Sequence, residues 1–250
     1  MEKKDVDNII KWIKDFFGQN SFARGVVIGM SGGKDSLIVA KLCIESLGKE
    51  KVFGVIMPNG EMKDISDAIN TCKLLKIPYT TINIFNTYDS VVNNCQTALK
   101  EVNSTLSNDS KINIAPRLRM TTLYALAQSL VYLVANTSNL SEISTGYSTK
   151  WGDGVGDFAP IADFTKSEVC EIGHLLCLPN ELVDKTPADG LSDATDEDKM
   201  KITYTELDTF IRTGEKPSCY NQIIKLNNLS KHKRHKMPRF KANLSNFLTD

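Results

Sequence analysis

Between Val26 and Ser36 the chain reads Val-Val-Ile-Gly-Met-Ser-Gly-Gly-Lys-Asp-Ser, and no other stretch restricts the fold so tightly. A β-branched apolar run breaks into a serine and two glycines. It then passes into Leu37-Ile38-Val39-Ala40-Lys41-Leu42, whose apolar residues recur at helical spacing. That pattern predicts a buried strand, a tight turn and a helix whose first residues are Asp35 and Ser36. Paired glycines let the main chain come close to a ligand, because no Cβ blocks the approach. The free N–H groups of the turn and of the helix start then converge on one spot, which suits an anion such as phosphate.

The same alternation continues. Lys51 to Met57 reads as a second strand closed by Pro58-Asn59-Gly60, Asp64 to Lys76 as a helix, and Tyr79 to Ile84 as a third strand. Upstream, Asp5 caps a helix carrying Val6, Ile9, Ile10, Ile13, Phe16 and Phe17 and ending near Gly18. Strand–helix–strand units at this spacing predict an α/β chain with right-handed crossovers and a central parallel sheet flanked by helices. Ligands of such sheets bind beyond the carboxyl ends of the strands. Residues 1–250 are read as one domain, a length that buries one substantial core. Asn86 to Ser110 is expected to be a helix followed by a flexible loop near 103–112, and a second flexible loop is expected near 186–201. Asn113 to Ala135 is read as a long helix with Pro116 in its first turn. Its apolar residues are so numerous that burial within the subunit or at a subunit interface is expected.

Thirty Lys and Arg balance thirty Asp and Glu, which argues against a nucleic-acid partner. No apolar run reaches membrane-spanning length and the start carries no signal-like segment, so a cytoplasmic protein without membrane contact is expected. The six cysteines form no Cys-x-x-Cys pair, and reduced core cysteines are the expectation.

Several polar stretches remain. A Walker A loop is excluded, since Gly29 and Gly33 are too close and Asp35 stands where its hydroxyl belongs. Arg117 and Arg119 lie near a helix start, where the helix dipole does not favour cations; an anion partner and a solvated or salt-bridged pair are both open readings. In Asn136 to Glu142, Thr137 is a candidate nucleotide contact. Glu142 is a candidate to join Asp35 on Mg²⁺, or is simply a solvated residue of a capped helix. Tyr147 to Asp157 is too glycine-rich and charged for core and reads as a ligand loop, followed by Thr165-Lys166 at a helix start. Thr203 and Glu206 make a candidate capping box. The basic run from Lys231 to Lys236, taken alone, is a solvated charged end.

Ser31 to Ser36 looks like the pyrophosphate loop of the ATP pyrophosphatases, which split ATP between its α and β phosphates. With the later motifs in this order, the chain resembles the bacterial ammonia-dependent NAD synthetases over most of its length. The resemblance implies a Rossmann-like fold of the adenine nucleotide alpha-hydrolase kind. It implies ATP bound by Gly29, Met30, Ser31, Gly32, Gly33, Lys34, Asp35 and Ser36, with Thr137 and Lys166 also on the nucleotide and Asp35 and Glu142 on Mg²⁺. Nicotinic acid adenine dinucleotide (deamido-NAD) would be held by Arg117, Lys150, Asp157, His232 and Lys233 in a homodimer. Ala188 stands where the family often has Ser or Thr, which removes one side-chain contact to ATP that Thr186 or Ser192 would have to replace. The chemistry implied is adenylation of the nicotinate carboxylate, release of pyrophosphate, and displacement of AMP by ammonia. Asp35 and Lys166 would serve the first step, and Asp153 or Asp157 would take a proton from ammonium in the second. The pyrophosphate loop begins too early for a preceding amidotransferase domain, so free ammonia is the expected donor. The competing expectations are an adenylating tRNA-modifying enzyme of the same superfamily and a non-catalytic nucleotide-binding regulator. The charge balance and missing cysteine pair oppose the first, and the Lys150 to Asp157 loop opposes the second.

Overall fold

The structure, a computed structural model, describes residues 1–61, 65–185, 195–238 and 240. Four parallel strands, β1 (Val26–Gly29), β2 (Val52–Ile56), β3 (Tyr79–Thr81) and β4 (Leu133–Val134), form one sheet in the order β3-β2-β1-β4. Beyond β4, Ala135 bridges Phe158 in parallel fashion. β1, β2 and β4 are apolar because both faces are covered, whereas the edge strand β3 is Tyr-Thr-Thr with two of its residues exposed. Val26, Ile28, Val52 and Ile56 point into one core, against α1 (Lys3–Gln19), α2 (Lys34–Leu47), α3 (Ile65–Leu75) and α7 (Lys166–Leu175). The alternate residues Val27, Val55 and Val134 point into a second core, against α4 (Phe85–Lys100) and α5 (Asn108–Leu130). One strand thus feeds two layers, as the side-chain period of two requires. A smaller third cluster, around Met200, Ile202, Leu207 and Ile223, joins α9 (Asp196–Met200), α10 (Tyr204–Thr213) and α11 (Tyr220–Leu229). The remaining short helices are α6 (Leu140–Thr145), α8 (Asn180–Val183) and α12 (Lys231–Arg234).

The fold is the expected α/β one, with two corrections to its elements. The long helix starts at Asn108, capped by the Ser107 hydroxyl, so Pro116 lies inside it and the second half of the expected loop near 103–112 is helix. It stops at Leu130, where Val131 turns left-handed (φ 57°), and the next residues make β4 instead of more helix. Smaller shifts also occur. Glu2, not Asp5, caps α1, with Asp5 accepting the Glu2 N–H, and β3 is shorter than read. The expected flexible segment 186–201 lies outside the described residues up to 194, and from Asp196 it is helix.

The topology places the site. From β1 the chain moves one way to β2 and β3, then returns to put β4 on the other side of β1. The crevice beyond the carboxyl ends of β1 and β4 is therefore the switch point at which ligands of open α/β sheets bind.

Candidate nucleotide and substrate site

From β1 the chain enters a loop held by its own hydroxyls. The Gly33 N–H donates to Ser31 Oγ (3.2 Å), and Ser36 Oγ donates to the Gly33 carbonyl (3.0 Å). Gly32 is left-handed (φ 81°), and a Cβ there would lie 2.9 Å from the Ala68 nitrogen, so α3 presses against the turn from behind. Gly33 caps α2 without a side-chain bond, so no capping side chain occupies the first N–H groups of the helix. The Lys34 side chain does not join them. It is buried, and Nζ lies 3.4 Å from Cys170 Sγ on α7.

Across the crevice, β4 runs into α6. The Asn139 side chain caps α6 by accepting the Glu142 N–H (3.0 Å), while Glu142 accepts the Asn139 N–H (3.3 Å). Asn139 Nδ2 also reaches Asp35 Oδ1, at 3.5 Å, and so ties the β4 side of the crevice to the β1 side. Of the two readings of Glu142 left open above, the capping box is present, but the side chain is turned to Lys166 instead of solvent. Its second oxygen receives Lys166 Nζ at 3.1 Å, and Asp35 Oδ2 receives the same ammonium at 2.7 Å. Lys166 is the first residue of α7, capped by Thr165, and its ammonium lies 5.4 Å from the centre of the Tyr204 ring.

The electrostatics of this triad follow from burial. Desolvation pushes the Glu142 carboxyl up to about 7, and the neighbouring Asp35 charge adds to the rise while Lys166 opposes it. Burial also works against the charge on Lys166. The combined field of Asp35 and Glu142 outweighs it and holds the ammonium well above its ordinary range. Two carboxylates and one cation therefore form a charged knot at the loop's mouth.

A second group lies at the far end of α6. Lys233 Nζ donates to the Gly146 and Ser148 carbonyls (2.7 and 2.6 Å), and Arg234 donates to the Ile143 carbonyl (3.1 Å). Lys150 Nζ donates to the His232 carbonyl (2.7 Å), and Arg117 Nε to the Lys150 carbonyl (3.3 Å). Four of the five residues that the resemblance assigned to the dinucleotide, Arg117, Lys150, His232 and Lys233, thus lie in one chain of contacts. Gly146 follows Glu142 by only four positions, about 6 Å of helical rise, so α6 links the basic group to the charged knot. Asp153 accepts the Thr149 N–H (2.7 Å); desolvation raises its carboxyl above the usual range, while this bond and Lys233 oppose the rise.

Asp157 is placed apart from these. Its carboxylate accepts the Val134 N–H (2.7 Å) and the Tyr124 hydroxyl (3.3 Å), bracing β4. Thr137 follows β4 on the crevice side and is half-buried. Ala188, with Thr186 and Ser192, lies outside the described residues. Arg119, the second arginine of the helix, is turned to the main chain: Nε donates to the Met57 carbonyl (3.0 Å), and burial lowers its pKa from the ordinary value, against the field of Asp153. Sequence reasoning missed Asn139 as a bridge, and Ser141, Tyr204 and Asp208 altogether. Each is a polar residue on a helix, and only the three-dimensional contacts separate it from a surface one.

Comparisons with known proteins identify the family. The sequence profile of the NAD synthase family matches residues 5–243. The NH3-dependent NAD+ synthetase of Pyrococcus horikoshii is 46% identical over 208 residues, which is 83% of this chain and 78% of that one. That of Archaeoglobus fulgidus is 37% identical over 245 residues, covering 94% and 96%. Among solved structures, the NMN synthetase of Francisella tularensis superposes with a TM-score of 0.85 at 34% identity, covering 98% of this chain and 100% of the other. The NH3-dependent NAD synthetase of Campylobacter jejuni gives 0.75 at 30% identity, covering 97% and 100%. With its profile matched almost from end to end and its crevice built from a glycine loop and a buried carboxylate–lysine knot, the chain belongs to the NAD synthase family.

Proposed function

We infer that this chain makes NAD by ATP-dependent amidation of nicotinic acid adenine dinucleotide with ammonia, releasing AMP and pyrophosphate. The observation that carries the reading is the convergence of Asp35, Glu142 and Lys166 at the mouth of the 31–36 loop in a member of this family. A carboxylate repels nucleophiles and lacks a leaving group, so it must be activated first. The nicotinate oxygen attacks the α-phosphorus of ATP, and the bond to the bridging oxygen of the β-phosphate breaks. Ammonia then adds to the acyl carbon, and the C–O bond to AMP breaks. In this reading the main-chain N–H groups of residues 31–36 cradle the phosphates, and Thr137 contacts the nucleotide. Lys166 supplies positive charge where the transition state gains negative charge.

Magnesium belongs to the proposal. Asp35 and Glu142 bracket one point that already attracts a cation, the Lys166 ammonium, and both offer the hard oxygens that Mg²⁺ prefers. They would hold the ion together with ATP phosphate oxygens, and it would offset charge on those phosphates. Arg117, Lys150, His232 and Lys233 would take the dinucleotide, with the Lys233 bonds to Gly146 and Ser148 exchanged for substrate phosphate. Asp157, held by Val134 and Tyr124, would act from the wall of the substrate side. Asp153, whose carboxyl is raised and so holds a proton more readily, is the better placed of the two to relieve ammonium of one. We also propose a homodimer through α5, of which only Ala115 and Ala127 are fully buried.

The likeness to the Francisella NMN synthetase supports a second reading, in which the acid is the mononucleotide. One assay separates the two: release of AMP and pyrophosphate with ATP, ammonia and either acid. The first reading expects kcat/KM at least about tenfold higher for the dinucleotide, a discrimination of about 1.4 kcal/mol. The reverse ratio selects the mononucleotide, and absence of AMP with either acid sinks both.

A further inference from the structure

Asp208 lies on α10, away from the loop, the knot and the basic group, yet it is 6% exposed and fully engaged. Its Oδ1 accepts the Ser141 hydroxyl (2.5 Å), and its Oδ2 accepts both the Ser167 N–H (2.8 Å) and the Ser167 hydroxyl (2.6 Å). Ser141 in turn accepts the Lys166 N–H at 2.9 Å. Ser141 is the residue before Glu142, and Ser167 is the residue after Lys166. One carboxylate therefore clamps the first turns of α6 and α7, the two helices that carry the groups meeting at the knot.

The same helix reaches Lys166 a second time. Tyr204 lies four residues before Asp208, on the same side of α10, and its ring faces the Lys166 ammonium at 5.4 Å. Main chain and side chain of Lys166 are thus both set from α10. A buried carboxylate is costly unless hydrogen-bonded, and this one has three donors. Each comes from Ser141 or Ser167, and neither serine has a role of its own in the chemistry.

We propose that Asp208 is a positioning residue: by clamping Ser141 and Ser167 it fixes the distance between Glu142 and Lys166 and so sets the ATP site. The proposal rests on the ATP reading of the crevice, not on the identity of the acid that is amidated. In Asp208→Asn one oxygen can still accept both Ser167 donors, but the nitrogen cannot accept the Ser141 hydroxyl and can meet it only as a donor, with the charge gone. The charge-assisted α6–α7 clamp is weakened while the shape is kept.

The test is a double-mutant cycle between Asp208→Asn and Lys166→Met. It is read on affinity for α,β-methylene ATP, which lacks the cleavable linkage, and on pyrophosphate release. Alone, Asp208→Asn is expected to weaken the analogue about tenfold and lower kcat about thirtyfold, with KM for the acid within about twofold. In the Lys166→Met background the same change is expected to alter analogue affinity less than about twofold, because the residue it acts through is gone. Equal losses in both backgrounds overturn the proposal, since a merely structural residue would weaken both alike. If Asp208→Asn shows no cooperative melt, Ser141→Ala carries the cycle with the same expected non-additivity, and additive losses there overturn it equally. Coupling on the analogue without turnover of either acid would uphold Asp208 and sink the amidation reading instead. Normal turnover with additive losses would do the reverse.

Discussion

Lys34 shows how little its position in a phosphate loop says about its side chain. Its main-chain N–H opens α2 beside Asp35, yet its ammonium is turned inward and ends against the Cys170 thiol at 3.4 Å, with the residue only 8% exposed. A thiol is a weak partner for a buried charge, and replacing such a group by an apolar one of similar length is often stabilising. Lys34→Met is therefore expected to raise stability by about 1–2 kcal/mol, seen as a higher urea midpoint with unchanged m. A lower midpoint would mean that the ammonium is better solvated than its burial implies. Lys166 is the opposite case. It is as deeply buried, but two carboxylates repay the desolvation, and the same residue type is fixed in place instead of merely accommodated. Where the two lysines differ is in what the fold brings to face them, and neither set of neighbours is near in sequence.

The helix α7 shows the same dependence one level up. It begins at Thr165, whose hydroxyl meets the Glu168 N–H, while Glu168 accepts the Thr165 N–H (2.8 Å) and two bonds from Arg212 (2.7 and 2.6 Å). Partial burial alone would raise the Glu168 carboxyl, but the Arg212 and Thr165 bonds prevail and hold it below the usual carboxylate range. A depressed folded-state pKa stabilises fully above the unfolded value near 4.5 and is lost as pH falls through the folded one. Glu168→Gln should thus be less stable than the unaltered protein at pH 7, by about 1 kcal/mol after discounting the half-exposed Arg212, and the gap should close as pH falls below 4.5 and through the folded value. A gap that persists in acid, measured by urea midpoints across that range, would assign the effect to packing. The start of α7 was legible in the sequence because a capping box is local: Thr165 and Glu168 are three residues apart. So was the loop after β1, where strand, glycines and acidic helix start adjoin. The bounds of α5 were not. Ser107 hides its capping role in a polar run, Pro116 sits about two turns inside a helix that other contacts stabilise, and the two residues of β4 continue an apolar stretch that reads as more helix. Asp208 was not legible at all, since its partners Ser141 and Ser167 are distant in the chain.

At the scale of the molecule, the sheet has one thick side and one thin one. The face toward α1, α2, α3 and α7 holds most of the buried apolar residues, whereas the other relies on α4, which has none fully buried, and on α5, which has two. Along the outer side of α5 run Arg117, Thr121, Ala125 and Gln128, all exposed and, after Arg117, uncharged. Exposed Leu130 ends that side, and exposed Phe22 and Val131 lie around a cleft of about 310 Å³ that Tyr124 and Gln128 also line. A second copy packed here would bury what the thin side leaves open, and a stable dimer needs about 800 Å² from each partner. Ala125 isolates the effect. It is exposed in the single chain and glutamate is a good helix former, so Ala125→Glu should leave the subunit's melting transition nearly unchanged. In a dimer the same change would bury an unpaired charge at the interface. The unaltered protein should therefore sediment at twice 27.8 kDa at micromolar concentration, and Ala125→Glu at 27.8 kDa. A monomeric unaltered protein would refute the interface. Because Arg117 shares the outer side of α5 with Ala125, the monomeric variant should also lose affinity for the dinucleotide acid while keeping that for α,β-methylene ATP, whose proposed site lies on the loop after β1, α2, α6 and α7 of one subunit.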